Sequence, residues 1–153
     1  MIVIRRGDEG DVHKLGRLWR DMIREIHPAN EPNSNWWKSL VTQHMRFNKE
    51  YVCFVAVDGS TIVGFADFKL VLEPSFNKVI AIANHMYVKP EYRKKMVGKK
   101  LEEKCMEEMA TRGASEVTFE TDDREKWKRH GYSTVRYVMS MPVVTFSQPG
   151  VSS

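Results

Sequence analysis

Met86-Tyr87-Val88-Lys89-Pro90-Glu91-Tyr92-Arg93-Lys94-Lys95-Met96-Val97-Gly98-Lys99-Lys100-Leu101 is the stretch whose reading decides the fold. An apolar run ends at Val88, Pro90 interrupts it, and three consecutive cations follow. From Gly98 the period changes, and Leu101, Cys105 and Met109 recur at helical spacing. The spacing predicts a strand ending at Val88, a basic loop, and a helix beginning at about Gly98. A helix start exposes backbone N–H groups and the positive end of its dipole. Glycine lets the backbone approach an anion closely, so the arrangement is a cradle for a diphosphate. Lys89 to Lys104 holds seven basic residues (Lys89, Arg93, Lys94, Lys95, Lys99, Lys100, Lys104) against Glu91, Glu102 and Glu103. The difference equals the formal net charge of the whole chain, +4, so the excess positive charge is concentrated here.

Upstream, Ile2 to Arg6 alternates as a short strand, and Asp8 or Asp11 is placed to cap a helix with Val12, Leu15, Trp19, Met22 and Ile26 on one face. Pro28 stops it, and a polar stretch leads to a second helix bearing Trp37, Leu40, Val41, His44 and Met45. Strands are predicted over Tyr51–Val57, Thr61–Val71 and Lys78–Val88, the first two joined through Asp58-Gly59-Ser60 as a hairpin. Downstream, Gly113 ends the helix that starts at Gly98, and Ser115–Thr121 is a strand. Asp122 or Asp123 caps a short helix through His130, and Ser133–Phe146 is a last strand. The expected organisation is one domain over 1–146, with a disordered tail over 147–153.

No apolar stretch approaches the ~20 residues that cross a bilayer. The opening residues run directly into Arg5 and Arg6, so the expectation is a cytoplasmic protein with no membrane partner. The two cysteines, Cys53 and Cys105, have no metal-ligand or disulfide spacing and read as reduced core residues. The basic segment lacks interleaved aromatic residues and any nucleic-acid fold signature, which weighs against a nucleic-acid module.

The chain resembles the GNAT N-acetyltransferase superfamily. Members carry Q/R-x-x-G-x-G/A in the loop, commonly after a valine-x-proline-x-tyrosine run, and Val88, Pro90, Tyr92, Arg93 and Gly98 stand in register. The Asp58-Gly59 hairpin with Ile62-Val63-Gly64-Phe65, and Gly131-Tyr132 near the end, follow in the same order. The resemblance implies an α/β fold: a mostly antiparallel twisted sheet of six to seven strands, about four helices, and strands splayed at the cofactor site. It implies acetyl-coenzyme A as cofactor, held by Met86, Tyr87, Val88, Arg93, Lys94, Lys95, Met96, Val97, Gly98, Lys99 and Trp127. Main-chain groups of Met86 and Val88 would bond the pantetheine arm, and transfer to an amine substrate would be direct, with no metal and no covalent enzyme intermediate. Members often form homodimers.

Two departures stand out. Met96 replaces the first motif glycine, and Trp127 stands where many members have a tyrosine that protonates the departing thiolate. Indole N–H is a donor that does not release a proton near neutral pH. Tyr132 and Tyr137 are the phenols available to replace it. The strand before the loop offers no carboxylate, which leaves His85, with an ordinary pKa of ~6.5, as the first base candidate, acting directly or through water. A histidine merely satisfied at a strand edge is the alternative, and Glu120 and Glu31 are weaker candidates. Helical spacing assigns Trp37 to the core, and the resemblance implies Trp36, with Glu31, as acceptor-pocket residues. A degenerate, cofactor-binding regulator is the competing functional class.

Overall fold

The computed structural model describes residues 1–121, 123–134 and 139–143. By internal contacts the chain forms two compact units, Met1–Phe119 and a second from Glu120 onward.

The first unit is a five-stranded sheet in the order β1-β2-β3-β4-β5: Ile2–Arg6, Tyr51–Asp58, Thr61–Glu73, Lys78–Val88 and Ala114–Thr118. Pairing is antiparallel except between β4 and β5, which are parallel. Helices α1 (Val12–Ile26) and α2 (Ser34–Phe47) link β1 to β2, and α3 (Val97–Thr111) links β4 to β5. The second unit contains a short helix, α4 (Arg124–Arg129), capped by Asp123, whose side chain accepts from the Lys126 N–H.

The strand count corrects the expectation of six to seven: the described residues contain five. Of the last expected strand, Ser133, Thr134 and 139–143 lie in no regular element, and 135–138 and 144–146 are outside the described residues, as is the tail over 147–153. Residue 122, one of two expected caps for α4, is also outside them. β5 ends at Thr118, short of the expected Thr121, where its pairing with β4 stops at Ile82.

Each face of the sheet carries its own apolar layer. Leu15, Leu18, Trp19 and Met22 of α1 with Trp37 and Val41 of α2 cover Tyr51, Cys53, Val55, Phe65 and Tyr87. Val97, Leu101, Cys105 and Met109 of α3 cover Val52, Phe54, Ala66, Phe68 and Val88 on the other face. Full burial of each large aliphatic or aromatic side chain stabilises by about 1.5–3 kcal/mol, so these two layers hold the strands in register. Both cysteines are buried and unpaired, and burial pushes the Cys105 thiol up to about 12.

A short 3-10 helix, Glu9–Asp11, precedes α1; Asp8 caps this short helix, while Asp11, at the N-cap position of α1, makes no side-chain cap hydrogen bond to α1. Asp8 accepts from the Gly10 N–H, while Asp11 accepts from the Asp8 N–H and pairs bidentately with Arg5 at 2.8 Å. The Arg5 hydrogen bonds hold the Asp11 carboxyl below the usual carboxylate range. At Gly64 the strands approach so closely that an added Cβ would lie 2.9 Å from the Tyr87 carbonyl oxygen. No described helix is long and apolar enough to cross a membrane.

Candidate active site

β4 is the element around which the site is built. Its parallel pairing with β5 runs from Val79–Ala114 to Ile82–Thr118 and stops there. Residues 83–88 continue alone on that side, among the described residues. On the β3 side, Lys89 N–H donates to Val63 O at 2.9 Å. In an antiparallel ladder the bonded pairs alternate, so main-chain groups of His85 and Tyr87 face β3 and those of Met86 and Val88 face the open edge. These are the two residues assigned to the pantetheine arm from sequence.

The register contains a bulge. His85 lies opposite Asp67 and Ala83 opposite Phe68, leaving Asn84 as the extra residue. An inserted residue reverses the alternation of side chains. Val79 and Ala81 therefore pack on the α3 face, whereas Tyr87 packs on the α1–α2 face and His85 lies near Trp37 and Phe65.

The basic loop begins directly at the end of β4. Pro90–Lys95 forms a 3-10 helix with a kink at Lys94, and Met96 follows with φ 60° and ψ 19°. The motif glycine is replaced at a left-handed position, the conformation that glycine adopts without cost. Met96 is also the N-cap of α3; no side chain caps this end, and its first turn has no acidic residue. The Met96 carbonyl accepts from Lys100 N–H at 3.1 Å, so the N–H groups of Val97, Gly98 and Lys99 precede the first intrahelical bond. A Cβ at Gly98 would meet only a Val88 methyl at 3.9 Å, which leaves open space over these amides. Lys94, Lys95 and Lys99 are exposed, and the Lys95 ammonium lies 5.1 Å from the Tyr92 ring.

Arg93 is differently engaged. Its Nη1 and Nη2 each donate to Glu25 at 2.6 Å, its Nε donates to Val88 O at 2.9 Å, and it lies over the Tyr87 ring. The guanidinium ties the loop to α1 and to the end of β4 instead of standing free for phosphate.

His85, one turn of the pleat before Tyr87, is the base candidate. Its Nδ1 is 2.8 Å from Asp67 Oδ1, and the Tyr51 hydroxyl donates to Asp67 Oδ2 at 2.6 Å. Asp67 is 3% exposed, while the His85 side chain retains 27%. Burial works to lower the His85 pKa, but the hydrogen bond and negative charge of Asp67 outweigh it and raise it above its ordinary value. No spacing rule in the sequence singles out Asp67. Its signal is a single carboxylate within the apolar run Ile62–Val71. A surface cleft of about 390 Å³ lined by Arg6, Arg46, Lys49 and Tyr51, among others, includes no residue of β4 or the basic loop and is therefore not the cradle.

A model of the acetyltransferase (GNAT) family matches residues 17–132, from α1 through α4 and on to Tyr132. The chain belongs to the acetyltransferase (GNAT) family. No curated protein sequence matches the chain. Solved structures share the GNAT fold at low identity. A possible acetyltransferase from Clostridium difficile 630 is 13% identical with a TM-score of 0.80, covering 95% of this chain and 99% of its own. A predicted acetyltransferase with acetyl-CoA from Clostridium acetobutylicum is 15% identical at 0.77, covering 93% and 96%. An aminoglycoside acetyltransferase in complex with sisomicin, from an uncultured soil metagenomic sample, is 20% identical at 0.68, covering 95% and 97%.

The remaining sequence candidates of this acetyltransferase are placed as follows. Trp37 is buried and stacks on Trp19 at 5.3 Å, whereas Trp36 is 61% exposed at the start of α2. Glu31 is exposed and pairs with Arg24 at 3.1 Å. Within the second unit, the Trp127 ring meets Tyr132 edge-on at 5.6 Å and lies 5.8 Å from His130. Tyr132 N–H donates to the Trp127 carbonyl at 3.1 Å. Glu120 also belongs to that unit, and Tyr137 lies outside the described residues.

Proposed function

We propose that this GNAT acetyltransferase uses acetyl-coenzyme A and transfers the acetyl group directly to a primary amine, with His85 as general base. The observation that carries the reading is the meeting, at Val88, of an open strand edge with an uncapped helix start. A carrier with an amide-bearing arm fits an open edge, and its diphosphate fits amides at the positive end of a helix. The acetyl-CoA in the similar Clostridium acetobutylicum structure and the aminoglycoside bound by the metagenomic enzyme support the same pairing of donor and amine.

The donor supplies an activated acetyl thioester when bound. Met86 and Val88 main-chain groups would hold its arm, and the amides of residues 97–99 with Lys94, Lys95 and Lys99 would hold its phosphates. Met96 shapes the turn, and Arg93 keeps the loop in place through Glu25 and Val88. His85 accepts a proton from the amine nitrogen, either directly or through one water. Trp36, at the start of α2, and Glu31, on the α1–α2 connection, are assigned to the acceptor. Trp127 is assigned to the cofactor, and Tyr132 is the proton donor in place of the absent tyrosine.

A thermal-shift titration with acetyl-coenzyme A, followed by an acetylation assay over a panel of amines, tests the reading. Stabilisation that grows with the logarithm of ligand concentration, reaching about 2.7 kcal/mol at a hundredfold excess over Kd, is expected from ligand linkage, together with turnover of at least one amine class. Gly98→Glu, which puts a carboxylate at the helix start, should remove the stabilisation. An identical titration for parent and variant would refute the cradle, and saturable binding with no turnover of any amine would favour the regulatory alternative.

A further inference from the structure

Asp67 owes its position opposite His85 to the Asn84 bulge; in an uninterrupted register the histidine would occupy the other face. A carboxylate buried among Tyr51, Cys53 and Phe65 is costly unless both oxygens are satisfied. Here each oxygen has one partner: His85 on Oδ1 and Tyr51 on Oδ2. Tyr51 is itself held, 5% exposed and stacked on His44 at 5.1 Å. The carboxylate cannot rotate without breaking one of these bonds.

A carboxylate accepts only. The His85 Nδ1 that faces it must therefore carry hydrogen, which leaves the lone pair of the neutral ring on Nε2. Trp37 and Phe65 flank the ring at 6.2 and 6.1 Å and limit its tilt. The titratable groups nearby are Asp67 from β3, Tyr51 and Cys53 from β2, His44 from α2, and Cys105 from α3, which interacts with Asp67 across the sheet. Burial, first, then the charge of Asp67 raise the Tyr51 pKa, so Tyr51 remains a neutral donor throughout the working range. Cys53 is likewise raised by burial and remains a thiol.

We propose that Asp67 and Tyr51 are positioning residues for the acetyl-transfer reaction: Asp67 fixes His85 with its Nε2 lone pair available, and Tyr51 fixes Asp67. The inference rests on His85 being the base. When Nε2 takes one proton from the amine nitrogen, the imidazolium formed stands against the Asp67 carboxylate, and the proton then leaves to solvent. Asp67 keeps its charge throughout, as the orienting carboxylate of a serine-protease triad does.

The test has one arm without substrate and one with it. In the ligand-free protein, nitrogen-15 NMR of the His85 ring should show the Nδ1–H tautomer and a titration midpoint above the ordinary histidine value. Asp67→Asn should lower that midpoint, because it removes the charge. Tyr51→Phe should raise it, because a carboxylate relieved of a donor attracts the proton more strongly. The pH profiles of kcat for an accepted amine should move in the same two directions, with kcat falling at least about tenfold in Asp67→Asn and the coenzyme KM unchanged. Purely structural roles would not give opposite shifts. An Nε2–H tautomer in the parent, or midpoints that coincide in parent and variants, would overturn the proposal; should Asp67→Asn fail to fold, Tyr51→Phe and the parental tautomer still decide it. His85→Gln separates the two readings. If it turns over at the parental rate, His85 is not the base. If it is inactive while Asp67→Asn keeps the parental profile, the base stands and the positioning role falls.

Discussion

Arg93 and Glu25 join through two parallel hydrogen bonds of 2.6 Å, and the same guanidinium donates from Nε to the Val88 carbonyl. One side chain thus connects the basic loop, the end of β4 and the last turns of α1. The pairing holds the Glu25 carboxyl below its usual range, chiefly through the Arg93 hydrogen bond. Both partners are close to half exposed, so the stability at stake is about 1 kcal/mol or less. The larger effect falls on the shape of the basic loop. Arg93→Ala and Glu25→Ala should each weaken acetyl-coenzyme A binding by similar factors, and the double variant should be little worse than either, as measured by calorimetry in a double-mutant cycle. Arg93→Lys should not restore binding, because an ammonium cannot make three directed bonds in one plane.

Met96 holds a left-handed backbone conformation with its side chain 58% exposed. A non-glycine residue there costs about 1–2 kcal/mol, and exposure means little packing is lost on removing the side chain. Met96→Gly should therefore stabilise the protein by about 0.5–1 kcal/mol after the greater freedom of glycine in the unfolded chain is deducted. Met96→Val should destabilise it. Urea denaturation at a fixed m value distinguishes the outcomes.

Raised basicity at His85 has two consequences of opposite sense. Catalysis by the neutral ring should increase as pH rises through the raised folded pKa, above the ordinary ~6.5. Stability behaves inversely. The His85–Asp67 contribution is fully present below the unfolded histidine pKa and is lost as pH rises through the folded value. His85→Gln should accordingly cost more stability at pH ~5.5 than at pH ~8.5, read from denaturation curves at the two conditions. An equal cost at both would show that the pairing carries no proton linkage.

Gly64 and Gly98 look alike in sequence and differ in surroundings. A Cβ at Gly64 would meet the Tyr87 carbonyl at 2.9 Å and force β3 from β4 beside the site. Gly64→Ala should cost about 1–3 kcal/mol and reduce transfer activity. Gly98→Ala, with only a methyl at 3.9 Å, should leave the melting temperature within a degree or two of the parent.

The order of elements was legible because each has a local cause. Apolar residues recur at the helical period in α1, α2 and α3, alternation and the Asp58-Gly59-Ser60 turn mark β2 and β3, and the break at Pro90 marks the loop. Trp37 in the core and Trp36 outside it followed from the same period. The basic loop was legible because the break at Pro90 and the clustering of charge are both local properties. The partners of Arg93 were not. Glu25 is 68 positions away and no spacing rule relates the two.

Sequence alone determined the order of strands and helices from β1 to α4, where positive charge accumulates, and that His85 precedes the loop. Tertiary structure alone decided which face His85 occupies, since one bulged residue, Asn84, reverses the alternation and brings the ring to Asp67. It also decided that Asp67 is held by Tyr51, 16 positions earlier, and that, among the described residues, the β4–β5 pairing stops at Ile82. Periodicity encodes which residues share a face over a few positions; register, bulges and pairings between distant side chains are set only when the strands close on one another.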